Sequence, residues 1–276
     1  MKRIVFIAVA LLCPYVNYAG GFPSLKSGDW YLAWGYNEEW YAPNDIHVSQ
    51  PGLNSDFTFM NVKAHDHIGW DKLFYYAWSI PQYNYRIGYA FGENKEWGIE
   101  LNFDHPKYVV SQNQTLEVKG KIKGRTVDST VTLTGGTLIY MLNNGANFFL
   151  FNLVRKFPLY SILPNHGLDL AAVTKFGVGP VVPHVQNTIF GHDNDPHFQI
   201  GGVNTGLEVG IQLMAAKHIY LEFTNKVDYA YYYGLRVYQG EVNQSLYTYE
   251  LILTIGYKFG KWKSKEDCNT CPKFNK

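Results

Sequence analysis

The chain has 276 residues, a formal net charge of +1 and 17% aromatic residues, among them 22 tyrosines and 7 tryptophans. The near-neutral charge gives no electrostatic basis for binding nucleic acid. Beyond the N-terminal region, no stretch has the ~20 continuous apolar residues of a transmembrane helix, which excludes helical membrane proteins as a class.

The N-terminus has the pattern of a secretory signal peptide. Lys2 and Arg3 precede an apolar run over residues 4–13, which is too short to cross a bilayer as a helix. We predict cleavage after Ala19, which removes Cys13 and leaves 22 basic and 23 acidic residues in the mature chain.

Downstream, apolar and polar residues alternate with a period of two in seven segments, and an eighth predicted strand, residues 148–155, is apolar on both parities. Such alternation predicts β-strands, because successive side chains of a strand point to opposite faces. The clearest segments lie near the C-terminus, where one face is almost wholly apolar and the other carries charge and glycine. In chain order, the predicted strands are residues 30–37, 82–91, 97–104, 148–155, 168–179, 202–213, 218–231 and 247–259.

The C-terminal strands are longer than the ~5–6 residues usual in a soluble sandwich. Strands of about 10 residues, with an apolar outer face, a polar inner face and aromatic ends, are typical of membrane-spanning barrels. The even strand number and the mixture of short and long connections also fit such a barrel. The sequence therefore predicts an all-β fold, an antiparallel transmembrane β-barrel of eight strands with long external connections.

Three further alternating segments lie in the long connections, at residues 56–63, 115–122 and 127–134. Gly124 and Arg125 separate the last two segments, which indicates a hairpin. We expect these segments to form hairpins that extend the sheet above the membrane. If they entered the wall instead, the barrel would have more than eight strands.

The inward face of the predicted strands carries charges of both signs. The interior of an eight-stranded barrel is about wide enough to be filled by side chains, and an unpaired ion there costs several kcal/mol. We therefore expect an ion-paired network that plugs the lumen, with a proton- or ion-conducting lumen as the alternative. The residues of this lumen network are Arg86, Glu100, Asp169, Lys175, Glu208, Glu222, Lys226, Asp228, Glu250 and Lys258.

His65, Asp66 and His67 form an H-D-H cluster in the first predicted external connection. Asp104 and His105 follow at the upper end of the third strand, close to where that connection returns. An imidazole beside a carboxylate can act as a general base, and two imidazoles with a carboxylate can bind a metal ion. These five residues are the candidate catalytic group, and a polar loop held by hydrogen bonds is the alternative. Metal binding is left open.

A second patch of the same residue types lies in the third predicted external connection. It would strengthen the case for a metal site if it lay near the first cluster, which the sequence does not decide. The patch consists of His184, His192, Asp193, Asp195 and His197.

Cys268 and Cys271 form a C-x-x-C pair in the C-terminal tail. A closed zinc site needs a second pair of ligands, and no βαβ pattern surrounds this one to indicate a thioredoxin-like site. In an oxidising periplasm the two thiols can form a disulfide, which we expect to act as a local structural staple.

The signal peptide, the alternating strands, the short turns and the aromatic-rich final strand together resemble the small outer-membrane barrels of Gram-negative bacteria. That family includes structural barrels and enzymes that add or remove an acyl chain of lipid A. The resemblance implies contact with outer-membrane lipid and with the assembly machinery, which would read Phe259 as the terminal aromatic residue. The His-x-Ser-Asn signature of the family's deacylases is absent here, so no catalytic residue is transferred to this chain.

The predicted organisation is a signal peptide over 1–19, an outer-membrane β-barrel over 20–260 and a periplasmic tail over 261–276. The predicted function is a structural or surface-interaction role in the bacterial outer membrane, with no cofactor and an unidentified surface ligand. One alternative is an enzyme that modifies the acyl chains of lipid A or phospholipid at the outer rim. The other is a narrow channel.

Overall fold

The computed structural model describes residues 28–67, 82–142, 144–163 and 168–260. The predicted signal peptide and the tail with Cys268 and Cys271 lie outside these ranges. No helix in the described ranges is long and apolar enough to cross a membrane. A short 3-10 turn occurs at Pro51–Leu53.

β-Strands make up most of the described chain. Their bounds are β1 (Asp29–Tyr41), β2 (Asn44–Gln50), β3 (Ser55–Val62), β4 (Ala64–His65), β5 (Tyr83–Phe91), β6 (Trp97–Asp104), β7 (Tyr108–Val110), β8 (Thr115–Ile122), β9 (Arg125–Thr132), β10 (Leu138–Leu142), β11 (Phe148–Leu163), β12 (Leu168–Val181), β13 (His184–Ile189), β14 (His192–Asp193), β15 (His197–Phe198), β16 (Gly202–Met214), β17 (Ile219–Val237) and β18 (Gly240–Lys258).

Eight of these strands close into a ring. Their order is β1, β5, β6, β11, β12, β16, β17 and β18, and each is antiparallel to its neighbours. β18 pairs back with β1 from Tyr31↔Lys258 to Tyr41↔Thr248, so the wall has no open edge. The structure thereby confirms the predicted antiparallel barrel of eight strands.

The short turns lie at one end of the ring and the longer connections at the other. Residues 92–96 join β5 to β6 and residues 215–218 join β16 to β17, at the end where β1 begins and β18 stops. β17 and β18 are longer than the predicted strands 218–231 and 247–259. Each has 19 residues, and they meet at a tight turn of Tyr238 and Gln239, so most of the stretch between the two predicted strands is itself strand.

The wall has its polar face inside and its apolar face outside. Along β17, Glu222, Lys226 and Asp228 are buried, whereas the alternate residues Phe223 and Val227 are 45% and 57% exposed. An apolar exterior that continues around the ring would be unstable in water and is stable in lipid. The ring therefore spans a membrane.

Aromatic side chains lie at both ends of this apolar exterior. Trp40 packs against Tyr249 near the outer end, and Tyr257 packs against Phe259 near the end with the short turns. On β18, Tyr247 and Tyr257 lie about 34 Å apart along the strand, or about 24 Å along the membrane normal for a strand tilted by about 45°. This spacing matches the ~25 Å apolar band of outer-membrane barrels.

Beyond the outer aromatic girdle, the wall continues into a β-sandwich. β2, β3, β8 and β9 follow β18 in its sheet, and β14, β13, β10, β7 and β4 form a second sheet. The two sheets share a buried apolar core that includes Phe57, Phe59, Tyr108, Leu138 and Val242. The hairpins predicted in the long connections thus extend the sheet and do not enter the wall. The second sheet was not predicted, because its strands have only two to six residues.

Phe59 is fully buried in the sandwich core. Its substitution tests whether the barrel stays folded when the sandwich is destabilised. We expect Phe59→Ala to lower the free energy of unfolding of the sandwich by about 3–5 kcal/mol, because it leaves a cavity. In protein inserted into vesicles, protease should then cut the sandwich while the barrel still resists SDS without boiling. Thr58→Ala, on the other face of the same strand, is the matched control. Loss of SDS resistance in Phe59→Ala would show that the ring needs the sandwich in order to close.

Candidate functional site

The ring brings polar residues of neighbouring strands to one level of the lumen. Register pairs set Lys175 opposite Glu208, Glu208 opposite Lys226, and Lys226 opposite Glu250. Glu250 is in turn opposite Glu39 of β1. Register partners point to the same face with their Cβ atoms about 4.5–5.5 Å apart. Lys226 is therefore flanked by a carboxylate on each side.

One group of charges, here called the Arg86 cluster, fills the middle of the lumen. It consists of Arg86, Lys175, Glu100, Glu208 and Glu222. Arg86 Nη1 lies 2.7 Å from Glu208 Oε1 and 3.4 Å from Glu222 Oε1. Lys175 Nζ lies 2.6 Å from Glu222 Oε1 and 3.3 Å from Glu100 Oε1. All five side chains are buried, so each charge is compensated by direct contact and not by bulk water.

A second group, the Lys226 cluster, lies nearer the outer end. Lys226 Nζ is 2.5 Å from Asp104 Oδ2, 3.1 Å from Asp228 Oδ2 and 3.4 Å from Glu250 Oε1. Asn102 donates a further hydrogen bond to Asp104 at 2.5 Å. Three carboxyl groups thus converge on one ammonium group, and none of these side chains reaches solvent.

Aromatic side chains lie at the end of the lumen that has the short turns. Lys156 Nζ lies 5.0 Å and 5.7 Å from the ring centroids of Tyr31 and Tyr220. Lys258 Nζ lies 5.6 Å from the Tyr220 ring. The Tyr31 hydroxyl donates to Glu100 Oε2 at 2.8 Å, which joins this layer to the Arg86 cluster.

The sandwich core lies at the other end of the lumen. The ring of Phe148, a buried member of that core, lies 5.7 Å from Lys226 Nζ. The Tyr232 hydroxyl donates to the backbone oxygen of Ala146 at 3.0 Å, and both residues are fully buried. Apolar packing therefore begins directly above the Lys226 cluster.

Nine of the ten residues assigned to the lumen network belong to these layers. Asp169 is the exception, because it lies near the short-turn end of β12 and accepts a hydrogen bond from Ser161 at 2.5 Å. No ion pair of Asp169 occurs within the described ranges.

The five catalytic candidates lie in separate environments. His65 Nδ1 is 3.0 Å from Ser111 Oγ in the sandwich. Asp66 accepts from Gln82 Nε2 at 2.8 Å and from the backbone N–H of His67 at 2.6 Å. In the described part of the chain, no hydrogen bond joins the imidazole of His65 or His67 to a carboxylate.

Asp104 and His105 are adjacent in sequence but point in opposite directions. Asp104 faces the lumen beside Lys226, whereas His105 stacks on Tyr83 with 4.7 Å between ring centroids. His105 Nδ1 lies 2.8 Å from Asn147 Oδ1. The alternation of a strand end thus separates the imidazole from the neighbouring carboxylate.

Burial shifts the pKa of two of the catalytic candidates, Asp66 and His105, which lie above the wall. Burial raises the pKa of Asp66, although the hydrogen bonds that it accepts from the backbone of Glu39 and from Gln82 act in the opposite direction. Burial lowers the pKa of His105, and the Asn147 contact counteracts only part of that change. A neutral imidazole held by Asn147 and Tyr83 is suited to packing the rim.

Metal binding finds no support in the described ranges, where no group of three or more His, Cys, Asp or Glu side chains could hold an ion. Two histidines of the second His/Asp patch pack against aromatic rings. His184 lies against Phe198 with 4.8 Å between ring centroids, and His192 stacks on Tyr238 at 4.6 Å.

Sequence reasoning missed two charged lumen residues, Glu39 and Lys156. Glu39 is buried and hydrogen-bonded to the amide groups of Asn37 and Gln82. Both charges lie one or two residues beyond the end of a predicted strand. Extending the period-two pattern to the end of β1 would have found Glu39. Residues 148–155 are apolar on both parities, so the sequence held no pattern that assigns Lys156 to the lumen.

No protein-family model matches this chain, and no curated protein matches it in sequence. Among solved structures, it is similar to Neisserial surface protein A, with 8% identity and a TM-score of 0.35 over 85% of this chain and 100% of that chain. It is also similar to Ail, the attachment invasion locus protein of Yersinia pestis, in complex with the heparin analogue sucrose octasulfate. That match has 10% identity and a TM-score of 0.32 over 84% of this chain and 99% of that chain. No residue role is transferred to this chain from either of them.

Removing one cation from the Arg86 cluster tests its contribution to stability. We expect Arg86→Met to lower the free energy of unfolding by about 3–5 kcal/mol, because the buried carboxylates lose a partner. Urea unfolding from detergent micelles, followed by tryptophan fluorescence, measures the change. The double variant Arg86→Met with Glu208→Gln should recover part of the lost stability. Lys121→Met, on the exposed β8–β9 hairpin, is the control. An Arg86→Met protein as stable as the parent would mean that the cluster does not stabilise the ring.

Proposed function

We propose that this protein is a bacterial outer-membrane β-barrel with a non-catalytic structural or surface-interaction role. The observation that carries the proposal is the sandwich above the wall, which has its own buried core and shares strands with the barrel. Binding residues are commonly borne on loops and hairpins that a rigid scaffold positions. A sandwich fixed to the wall by continuous strands is such a scaffold.

We propose further that the lumen is plugged. The proposal is supported by two layers of buried ion pairs, by the tyrosine layer at one end and by the sandwich core at the other. An ion that crosses this path would have to separate buried ion pairs. Each charge left without its partner costs several kcal/mol, because bulk water does not solvate it there. Planar-bilayer recording should therefore show no conductance steps, and steps in the parent protein would favour the narrow channel.

The β8–β9 hairpin is the surface that we propose for a partner. Its exposed basic residues are Lys119, Lys121, Lys123 and Arg125. Of these four, only Lys119 forms an ion pair with a described residue, Glu117 at 2.7 Å. The hairpin turns at Lys123 and Gly124, both with positive φ, which suits glycine at the second position. This concentration of positive charge favours an anionic ligand.

A polyanion is the simplest probe of this hairpin. Cells or vesicles that display the protein should be retained on heparin beads at about 0.15 M salt and not on neutral dextran beads. The triple variant Lys121→Gln, Lys123→Gln, Arg125→Gln should bind about tenfold more weakly, because three charge contacts are lost. Arg236→Gln, elsewhere on the sandwich, is the control. Equal retention of the triple variant and the parent would refute this surface.

One observation favours the enzymatic alternative. His65 Nδ1 and Ser111 Oγ lie 3.0 Å apart, which is the separation of a general base and its nucleophile. The pair belongs to the β4–β7 part of the sandwich, and Ser111 is six residues beyond His105, which lies at the rim. The pair therefore lies above the aromatic girdle, away from the acyl chains that are buried in the bilayer.

Mass spectrometry of lipid A and phospholipid from cells with and without the protein decides between these functions. A non-catalytic role predicts identical spectra when the barrel is inserted. A gain or loss of one acyl chain, abolished by Ser111→Ala and His65→Gln but not by the control His67→Gln, would establish the enzyme. His105→Ala should insert normally in either case, because His105 packs the rim without facing the lumen.

A further inference from the structure

A cavity of about 470 Å³ opens on the outside of the protein, beside β18. It forms where β18 changes its neighbour, from β1 at Tyr41↔Thr248 to β2 at Gln244↔Ile46. The chain passes from β1 to β2 through Pro43, and the gap left beside β18 is here called the girdle notch. Its outward-facing side chains are Asp45, His47, Tyr231, Asn243, Ser245 and Tyr247.

The polar groups of the girdle notch are held in place by bonds on their far sides. Asp45 Oδ1 accepts the backbone N–H of Asn61 at 2.7 Å, and Asn243 Oδ1 accepts the backbone N–H of Gly234 at 2.8 Å. Within the described ranges, the other carboxylate oxygen of Asp45 and the amide N–H groups of Asn243 have no partner. Oriented groups with spare hydrogen-bonding capacity are what a ligand site needs.

The charge of the girdle notch narrows the ligand class. No Lys or Arg is among its lining residues, while Asp45 is acidic and His47 is already engaged by Asp56 at 2.7 Å. An anionic phosphate would meet a carboxylate and no cation, which disfavours its binding. Uncharged hydroxyl groups can both donate to Asp45 and accept from Asn243.

Two tyrosines supply the apolar part of the girdle notch and fix its height. Tyr231 and Tyr247 are 41% and 58% exposed, and they belong to the outer aromatic girdle together with Tyr229 and Tyr233, against which they pack. The electron-rich faces of tyrosine rings attract the polarised C–H groups of a sugar ring. Aromatic girdles mark the level of lipid headgroups.

We propose that the girdle notch binds the uncharged, hydroxyl-rich sugar headgroup of a membrane glycolipid. The cavity volume lies within the range of about 300–1,000 Å³ for small-molecule sites. A headgroup anchored by its acyl chains at the girdle is already confined to this height, which raises its effective concentration at the notch. The inference rests on the insertion of the barrel and is independent of the surface role proposed above.

Two amphiphiles with the same alkyl chain provide the test. The full chain is purified in an ethylene glycol detergent that carries no sugar, and dodecyl maltoside or dodecylphosphocholine is added. Native mass spectrometry then counts the amphiphiles retained. We expect dodecyl maltoside to be retained at one saturable site and to outcompete dodecylphosphocholine. Tyr247→Ala and Asn243→Ala should each weaken retention about fivefold, because each removes a contact or hydrogen bond of about 1 kcal/mol.

The controls separate the girdle notch from unspecific lipid contact. Tyr257→Ala, in the opposite girdle, should leave retention unchanged, and SDS resistance before boiling shows that each variant is folded. Equal retention of the two amphiphiles, or equal losses in Tyr247→Ala and Tyr257→Ala, would overturn the proposal. So would a preference for the phosphocholine that disappears in Asp45→Asn, since that indicates a cationic headgroup. If free maltose binds as tightly as dodecyl maltoside, the ligand is a free sugar and not a membrane glycolipid.

Discussion

The closure of β18 onto β1 is the constraint on which the rest of the molecule depends. Once the ring is closed, alternate side chains of every wall strand point into the lumen, and the others point to the lipid. Polar residues inside must then satisfy one another, because bulk water does not reach them. The Arg86 cluster and the Lys226 cluster are the result, with each ammonium or guanidinium group touching two or more carboxylates.

The same closure ties the barrel to the sandwich. β17 and β18 cross the membrane and then continue into the sandwich, so one hydrogen-bonded ladder runs through both parts. β18 pairs with β1 along the wall and with β2 above it. The sandwich core therefore lies over the lumen, and the buried ring of Phe148 meets both the core and Lys226. The wall, the charged clusters of the lumen and the sandwich form a single hydrogen-bonded structure.

The exchange of β1 for β2 beside β18 also shapes the outer surface. Where one neighbour ends and the next has not begun, the girdle notch opens between the aromatic girdle and the polar face of the sandwich. The basic β8–β9 hairpin lies at the far end of the same sheet, several strands from β18. The girdle notch and the basic hairpin therefore lie apart on the molecule, and the two interactions proposed for them can be tested separately.

The sequence by itself determined the strands and their faces. All eight wall strands overlap predicted segments. Seven of these segments were found by period-two alternation, because that period follows from the geometry of each extended backbone and needs no distant contact. The inward parity of Arg86 and Glu208 was readable for the same reason. Their ion pair was not, because it joins residues 122 positions apart and depends on the register of several intervening strands. The second sheet of the sandwich and the girdle notch likewise required tertiary structure. A ring sets which strands meet and at what height, and local alternation carries no information on either.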